Sequence, residues 1–165
     1  MKLFKWIGSK QEAHTILKDS RTQEEEVVCL RNNEEMLLLQ ETMEASIPVT
    51  ETYEILDRTG ALQNNCFAVL NNIPVTEEGR AQFEERFRNR AGLIEEEPGF
   101  IAIRVLRPLQ SDTYVILTLW ENEESFANWQ QSKAYSKAHA KRGTEQGIDK
   151  RPNLFPRPSF VTTYQ

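Results

Sequence analysis

The pattern of apolar runs separated by polar, Pro and Gly positions is clearest in the second half of the chain. It predicts four strands there, at residues 66–75, 100–107, 113–120 and 159–164. It also predicts two helices, from residue 76 to about residue 94 and from residue 123 to residue 143. The resulting order, β-α-β-β-α-β, is that of the ferredoxin-like fold, in which two helices lie on one face of an antiparallel sheet.

The first half follows a shorter version of the same order. Strand-like runs occur at residues 2–7, 25–31 and 35–41, and an asparagine-rich link joins the last two as in a hairpin. Ser9 is a suitable N-cap for a helix that ends at residue 18, and residues 49–57 are expected to form a short helix. We therefore interpret residues 1–60 as a reduced, divergent ferredoxin-like half and residues 61–165 as a complete one.

Two predicted strands of the second half are apolar on both faces. In the strand at residues 100–107, Ile103 and Val105 lie on one face, and Ala102 and Leu106 lie on the other. An antiparallel sheet that packs on one face alone normally alternates apolar and polar residues. Something must therefore cover the second face, either a second copy of the chain or its own first half.

Composition and charge narrow the possible classes of protein. Residues 1–60 carry seven Lys or Arg and twelve Asp or Glu, whereas residues 61–165 carry thirteen of each, so neither half predicts nucleic-acid binding. No apolar run approaches the roughly 20 residues that span a membrane, and the N-terminus lacks the apolar core of a secretion signal. Cys29 and Cys66 show no metal-binding spacing, and we expect reduced thiols in a cytoplasmic protein.

The predicted last helix carries the first candidate for chemistry, His139, one of two histidines in the chain. A histidine in this setting can be a metal ligand, a base or a charge at a helix terminus. Lys137, Lys141 and Arg142 add positive charge beside it, which suits an anionic ligand. The alternative is a solvated histidine near a helix C-terminus, where cations are favoured. The stretch alone leaves both interpretations open.

Asn71 and Trp129 are the other candidates. Strand alternation places Asn71 and Asn72 on opposite, mostly apolar faces, so either amide can be buried and hydrogen-bonded to a loop, or can offer an N–H group to a ligand. Trp129 can be a core residue. It can also share a pocket with His139, because ten residues of ideal helix leave the two side chains about 80° apart.

Four segments resemble a known family: CFAVLNNIPVTEEG, LIEEEPGFIAIRVLRP, TYVILTLWENEESFANWQQSKAYSKAHAKRG and FVTTY. They are similar to the antibiotic-biosynthesis-monooxygenase-like domain of the IsdG family of haem-degrading monooxygenases, and the whole chain resembles the longer, HmoB-type members. The resemblance implies an α+β fold of the ferredoxin-like dimeric α/β-barrel type, with the two halves forming an internal pseudo-dimer.

The resemblance also implies a role for each candidate residue. His139 would be the proximal ligand of haem iron, Asn71 would lie on the distal side and donate to bound oxygen, and Trp129 would press on the porphyrin and hold it ruffled. Haem would be substrate and cofactor, O2 the oxidant, and an external electron donor with an unidentified reductase would be needed, because no flavin- or nicotinamide-binding GxGxxG motif is present.

Three other functions remain open from the sequence. The first is a non-catalytic stress or signalling protein of the TRAP type, which has the same two-part layout. The second is a cofactor-free monooxygenase of the wider superfamily, and the third is a haem carrier without turnover. The presence of Asn71, Trp129 and His139 together favours the haem-degrading enzyme.

The sequence further predicts a monomer that binds one haem. Single-domain members of the family pair two sheets across a dimer, whereas here residues 1–60 would supply the second sheet. That half would lack an active site, because His14 falls in its first helix and Trp6 in its first strand, with no equivalent of the Asn71, Trp129 and His139 set.

Overall fold

The structure, a computed structural model, describes residues 1–19, 26–88, 93–132 and 154–165. Eight strands and three α-helices are present in these ranges: β1 Lys2–Gly8, α1 Lys10–Lys18, β2 Val28–Arg31, β3 Met36–Thr42, β4 Glu51–Thr59, β5 Phe67–Pro74, α2 Arg80–Arg88, β6 Phe100–Pro108, β7 Thr113–Trp120, α3 Glu123–Gln130 and β8 Phe160–Tyr164. A 3₁₀ turn, Leu93–Glu96, precedes β6.

All eight strands form one sheet in the order β2-β3-β1-β4-β6-β7-β5-β8, and every pair of neighbours is antiparallel. Each half repeats the spatial order second, third, first, fourth strand, and the β4–β6 pairing joins the halves. The two outer strands meet where Arg31 and Gln165 exchange backbone N–H···O bonds of 2.9 and 2.7 Å. The sheet therefore nearly closes into a barrel, and the predicted fold of two ferredoxin-like halves is confirmed.

The prediction of a short helix at residues 49–57 is wrong. This segment contains β4, which pairs with β1 on one side and β6 on the other. Tyr53 lies opposite both Leu3 and Pro108 and is only 2% exposed. The aromatic and β-branched residues of the segment suit this position between two strands, and the pairing outweighs the weak helical spacing that the sequence shows.

The first half consequently has all four strands and, within its described residues, one helix. Residues 43–50 occupy the place in chain order where the second half has α3. The buried Gln40 side chain holds this segment, because its amide donates to Ser46 Oγ at 2.7 Å and accepts from Ser46 N–H at 2.9 Å. Thr50 N–H donates to the Lys5 carbonyl at 2.7 Å, so the segment is fastened to β1 before β4 begins.

The barrel interior is a single apolar core to which both halves contribute. Its buried members are Leu3, Val28, Leu30, Leu37, Leu39, Tyr53, Cys66, Ala68, Leu70, Ala102, Leu106, Val115, Leu117, Leu119 and Tyr164. Each fully buried Leu or Val contributes roughly 1.5–3 kcal/mol of transfer free energy. Of the two alternatives for the second apolar face of the sheet, the structure shows the first half covering it.

The helices lie on the outer surface of the sheet. Ser9 caps α1 as predicted, because its hydroxyl accepts from Glu12 N–H while the Glu12 carboxylate accepts from Ser9 N–H, both at 3.1 Å. Before α2, Thr76 Oγ1 accepts from Gly79 N–H at 3.1 Å, the hydrogen bond expected of an N-cap, and residues 77–79 form a turn that leads into the helix at Arg80. None of the described helices is long and apolar enough to cross a membrane.

The barrel interior also contains a buried ion pair that crosses between the halves. Arg104 of β6 is 0% exposed and donates to the Glu41 carboxylate of β3 at 2.6 Å. Its guanidinium further donates to the backbone carbonyls of Thr59, Gly60 and Ile103 at 3.0, 2.8 and 2.8 Å. All of its donor groups therefore have partners, which makes burial of the charge tolerable.

Candidate functional site

The outer face of the second half's sheet contains Asn71. Within β5, Phe67 and Val69 pack towards the helices, and Asn71 continues the same face. Asn71 lies opposite Ile116 of β7 on one side and Val161 of β8 on the other. It is partly buried, and its side-chain amide makes no hydrogen bond to any other residue within the described ranges.

Asn72 points the opposite way, into the barrel. It is 6% exposed, and its Nδ2 donates to the Leu70 carbonyl at 3.0 Å and to the Phe160 carbonyl and Thr162 Oγ1 at 3.2 Å. This amide therefore holds β8 against β5. The sequence could not choose between the two asparagines, whereas the structure leaves only Asn71 on the helix-facing side.

Trp129 lies on α3 within an aromatic cluster. Its ring is 5.6 Å from the Trp120 ring and 6.1 Å from the Phe126 ring, measured between centroids, and Phe126 is in turn 6.1 Å from Phe67. Trp129 remains partly exposed. Its packing against Trp120 and Phe126 agrees with the core interpretation.

The structure places Asn71 and Trp129 on the same side of the sheet. Val69, the residue before Asn71 on that face, packs in the cluster that includes Trp129. His139, with Lys137, Lys141 and Arg142, lies outside the described residues, so its position relative to the other two remains a prediction.

Around Asn71 the sheet surface carries no formal charge. The three adjacent strands β7, β5 and β8 contain no Asp, Glu, Lys, Arg or His. Ile73, Ile116 and Val161 are partly or largely exposed there. Such a surface suits a flat apolar ligand, and the Asn71 amide provides one hydrogen-bond donor in its middle. The described residues hold no cluster of three or more His, Cys, Asp or Glu that could bind a metal ion.

A partly buried ionic cluster fixes α2 beside this surface, and the sequence analysis missed it. Glu84 of α2 accepts from Arg107 Nε at 3.0 Å and also from Arg107 Nη2 and the Tyr114 hydroxyl. The hydrogen bond from Arg107 lowers the pKa of Glu84, and burial raises the pKa of Tyr114. Arg80 lies 5.5 Å from the centre of the Tyr114 ring. No spacing rule links these residues, which come from three elements.

The corresponding outer face of the first half is filled by its own side chains. Trp6, Leu38 and Ile47 are buried there with Ala13 of α1. The indole lies so close to Gly8 that a Cβ at that position would be 2.3 Å from Trp6 Cζ2. Exposed His14 borders an open groove of about 530 Å³ beside this cluster, which Ala13, Leu17 and Met36 also line.

Comparison with known proteins identifies relatives of the segment that carries Asn71 and Trp129. The family model described as antibiotic biosynthesis monooxygenase matches residues 66–141. A heme oxygenase (mycobilin-producing) of Mycobacterium tuberculosis is 36% identical over 72 residues, which are 43% of this chain and 68% of that protein. A heme-degrading monooxygenase of Bacillus cereus is 33% identical over 78 residues, 46% of this chain and 72% of that protein.

Two solved structures share the whole architecture. One, described as a major regulator of staphylococcal pathogenesis, has a TM-score of 0.84 at 19% identity and covers 99% of this chain and 98% of its own. The other, the heme-degrading enzyme LmHde from Listeria monocytogenes, has a TM-score of 0.70 at 17% identity with coverage of 99% and 98%. At these identities the likeness shows the fold alone.

Proposed function

This chain belongs to the antibiotic biosynthesis monooxygenase family, and on that premise we propose that it binds haem and degrades it as a monooxygenase. The observation that carries the proposal is the Asn71 amide, which lies without a hydrogen-bonding partner among the described residues on an uncharged, partly exposed sheet surface. Asn71 and the strands β5 and β7 of that surface lie within the matched segment, and relatives that are 36% and 33% identical are named as haem-degrading enzymes.

The residues present fit a haem ligand. A porphyrin is apolar over most of its area, and the floor formed by β7, β5 and β8 carries no formal charge. Its iron takes a neutral imidazole as axial ligand, and His139 is the residue of the matched segment that can supply one. Lys137, Lys141 and Arg142 are near His139 in sequence and are candidates to pair with the propionates.

Each candidate residue has a distinct task in this proposal. Bound haem supplies the oxygen activation, with O2 and an external electron donor as co-reactants and an unidentified reductase as the source of electrons. The Asn71 side-chain N–H, on β5, donates a hydrogen bond to the bound ligand. The Trp129 indole, on α3, restricts where the ligand can lie. His139 holds the iron, and the expected outcome is an opened ring and released iron. These roles correspond to the IsdG type, in its longer HmoB-type form.

Two alternatives use the same fold. A non-catalytic TRAP-like regulator agrees with the similarity to the staphylococcal regulator, but that similarity shows architecture alone. A haem carrier would use His139 and the apolar floor, yet it would have no use for a donor at Asn71. The amide therefore favours the enzyme over the carrier.

A haemin titration followed by reduction tests the proposed function. We expect a Soret band on adding haemin to the purified protein, and loss of that band under ascorbate in air, with catalase present to remove free peroxide. A stable Soret band under these conditions would identify a carrier. Absence of any Soret shift would reject haem as the ligand and would support the regulator.

Asn71→Ala should separate haem binding from haem degradation. The variant keeps His139 and the apolar floor, so we expect haemin affinity within about threefold of the wild type. Loss of a hydrogen bond worth roughly 1–3 kcal/mol should slow degradation about ten- to a hundredfold. The measurement is the single-turnover rate of Soret decay.

Asn72→Ala is the matched control for that experiment, because it removes the neighbouring amide from the opposite face. It should lower the free energy of unfolding by about 1–3 kcal/mol through the loss of its interior bonds, yet leave the decay rate of the folded protein unchanged. Equal rates for Asn71→Ala and the wild type would remove Asn71 from the mechanism.

The protein should be a monomer that binds one haem. Its first half already covers the inner face of the second half's sheet, and Trp6, Leu38 and Ile47 fill the outer face where a second site would lie. Light scattering across a range of protein concentrations should give the mass of one chain, and the haemin titration should break at one equivalent. A stable dimer, or a break at two equivalents, would contradict this assignment.

A further inference from the structure

Val161 of β8 lies directly across from Asn71. Residues paired in this way project from the same face of a sheet, so Val161 shares the helix-facing side with Asn71 and Ile116. Its side chain is 56% exposed, and it belongs to none of the four apolar clusters formed by the described residues.

Val161 is thus an exposed aliphatic residue on the last strand of the sheet order. The outer strand of a sheet normally carries charged or polar residues on its free side, because an apolar edge promotes aggregation. Here the edge strand β8 is paired with β5 along Phe160–Tyr164, and it meets β2 through the Arg31–Gln165 pair near its C-terminal end. Val161 therefore lies on the more open part of the strand, where solvent exposure would favour a polar side chain.

The strands beside Val161 offer no cationic partner to an anionic group. Its neighbours across β5 and β7 are the Asn71 amide and the Ile116 side chain, and the three strands carry no cation that could pair with a carboxylate. A carboxylate placed against Asn71, Ile116 and Val161 would lose hydration without gaining an ion pair with any residue of these three strands. An apolar, polarisable ring edge would instead bury the exposed valine surface.

We propose that Val161 contacts the substrate and determines its orientation, by accepting an apolar edge of the porphyrin beside Asn71 and excluding the propionate edge from β8. This inference rests on the proposed function, and it adds a residue on the last strand to a site that the sequence located on β5 and the last helix. It also specifies that the ligand extends from Asn71 across β8.

Substitution by an acidic residue tests the contact without relying on turnover. Val161→Asp should weaken binding of both haemin and metal-free protoporphyrin IX at least about tenfold, equivalent to about 1.4 kcal/mol. The metal-free ring needs no axial ligand, so its affinity reports on the apolar contacts alone. Tryptophan fluorescence quenching measures this affinity, and the Soret band measures that of haemin.

Two further variants serve as controls for this interpretation. Val49→Asp places the same charge on another exposed valine, 41% exposed and in the first half, and it should leave both affinities unchanged. Val161→Thr keeps the branched shape and strand preference if the aspartate variant unfolds, and it should weaken binding about two- to fivefold. Melting curves establish that each variant is folded.

The outcomes separate this inference from the proposed function. If the wild type binds neither porphyrin, the proposed function and the Val161 assignment are both rejected. If the wild type binds and the two Val161 variants match it within twofold, the porphyrin does not extend over β8 and the Val161 assignment alone is overturned. Weaker binding by Val49→Asp and Val161→Asp alike would show a general effect of negative charge, and it would also overturn the assignment.

Discussion

His139→Ala is expected to lower haemin affinity by a factor of at least about 100, equivalent to about 2.7 kcal/mol, and to abolish degradation. Under the proposed function the iron would lose its imidazole ligand, and the apolar floor around Asn71 would hold the porphyrin by packing alone. The fold should survive, because the eight-stranded barrel is complete among the described residues without His139. Difference spectra during a haemin titration measure the loss, and added imidazole should restore part of the Soret shift.

His14→Ala is the control for that substitution. His14, the other histidine of the chain, is exposed on α1 and distant in the sheet order from β5. Its removal should leave the Soret titration unchanged. If His139→Ala binds haemin as tightly as the wild type while His14→Ala does not, the axial ligand has been assigned to the wrong half of the molecule.

Glu41→Ala is expected to destabilise the protein by about 3–5 kcal/mol. The change leaves the Arg104 guanidinium inside the barrel, 0% exposed, without the carboxylate that it contacts at 2.6 Å. An unpaired buried charge costs more than a lost surface pair, because burial removes it from water. Urea unfolding followed by circular dichroism measures the free energy of unfolding.

The same carboxylate provides a matched comparison. Arg58 lies 3.5 Å from Glu41 but is 53% exposed, so Arg58→Ala should cost less than about 1 kcal/mol. Replacing both partners, as Glu41→Leu with Arg104→Met, should recover most of the stability, since two apolar side chains of similar volume need no counter-charge. A loss for Glu41→Ala no larger than that for Arg58→Ala would show that water reaches Arg104.

The strands of the second half were predictable because they are long and strongly apolar, and because Pro and Gly residues separate the elements. The predicted helices were too long, since α3 ends at Gln130 and a 3₁₀ turn occupies Leu93–Glu96. The segment at residues 49–57 was not, since Tyr53 and its neighbours become a strand only through their partners in β1 and β6. The buried Arg104–Glu41 pair was also hidden from sequence reasoning, which expects charged residues on the surface.

The candidate site was predictable in part. The sequence pointed to Asn71 and Trp129, and the structure places both on the helix-facing side of the sheet, but alternation alone could not separate Asn71 from Asn72. That choice depends on which face the helices cover, which is a property of the packing. Val161 carried no signal in the sequence, because its relation to Asn71 depends on strand register.

The two ferredoxin-like halves belong to one chain, so their sequences do not have to be identical. In an assembly of identical subunits every substitution appears in both copies, so a tryptophan that blocked one cleft would block the other. Here Trp6 fills the outer face of the first half while Asn71 remains accessible in the second. Substitutions can therefore accumulate in each half separately. The first half is constrained by the leucines that it contributes to the shared interior, and its outer surface can change without loss of the site.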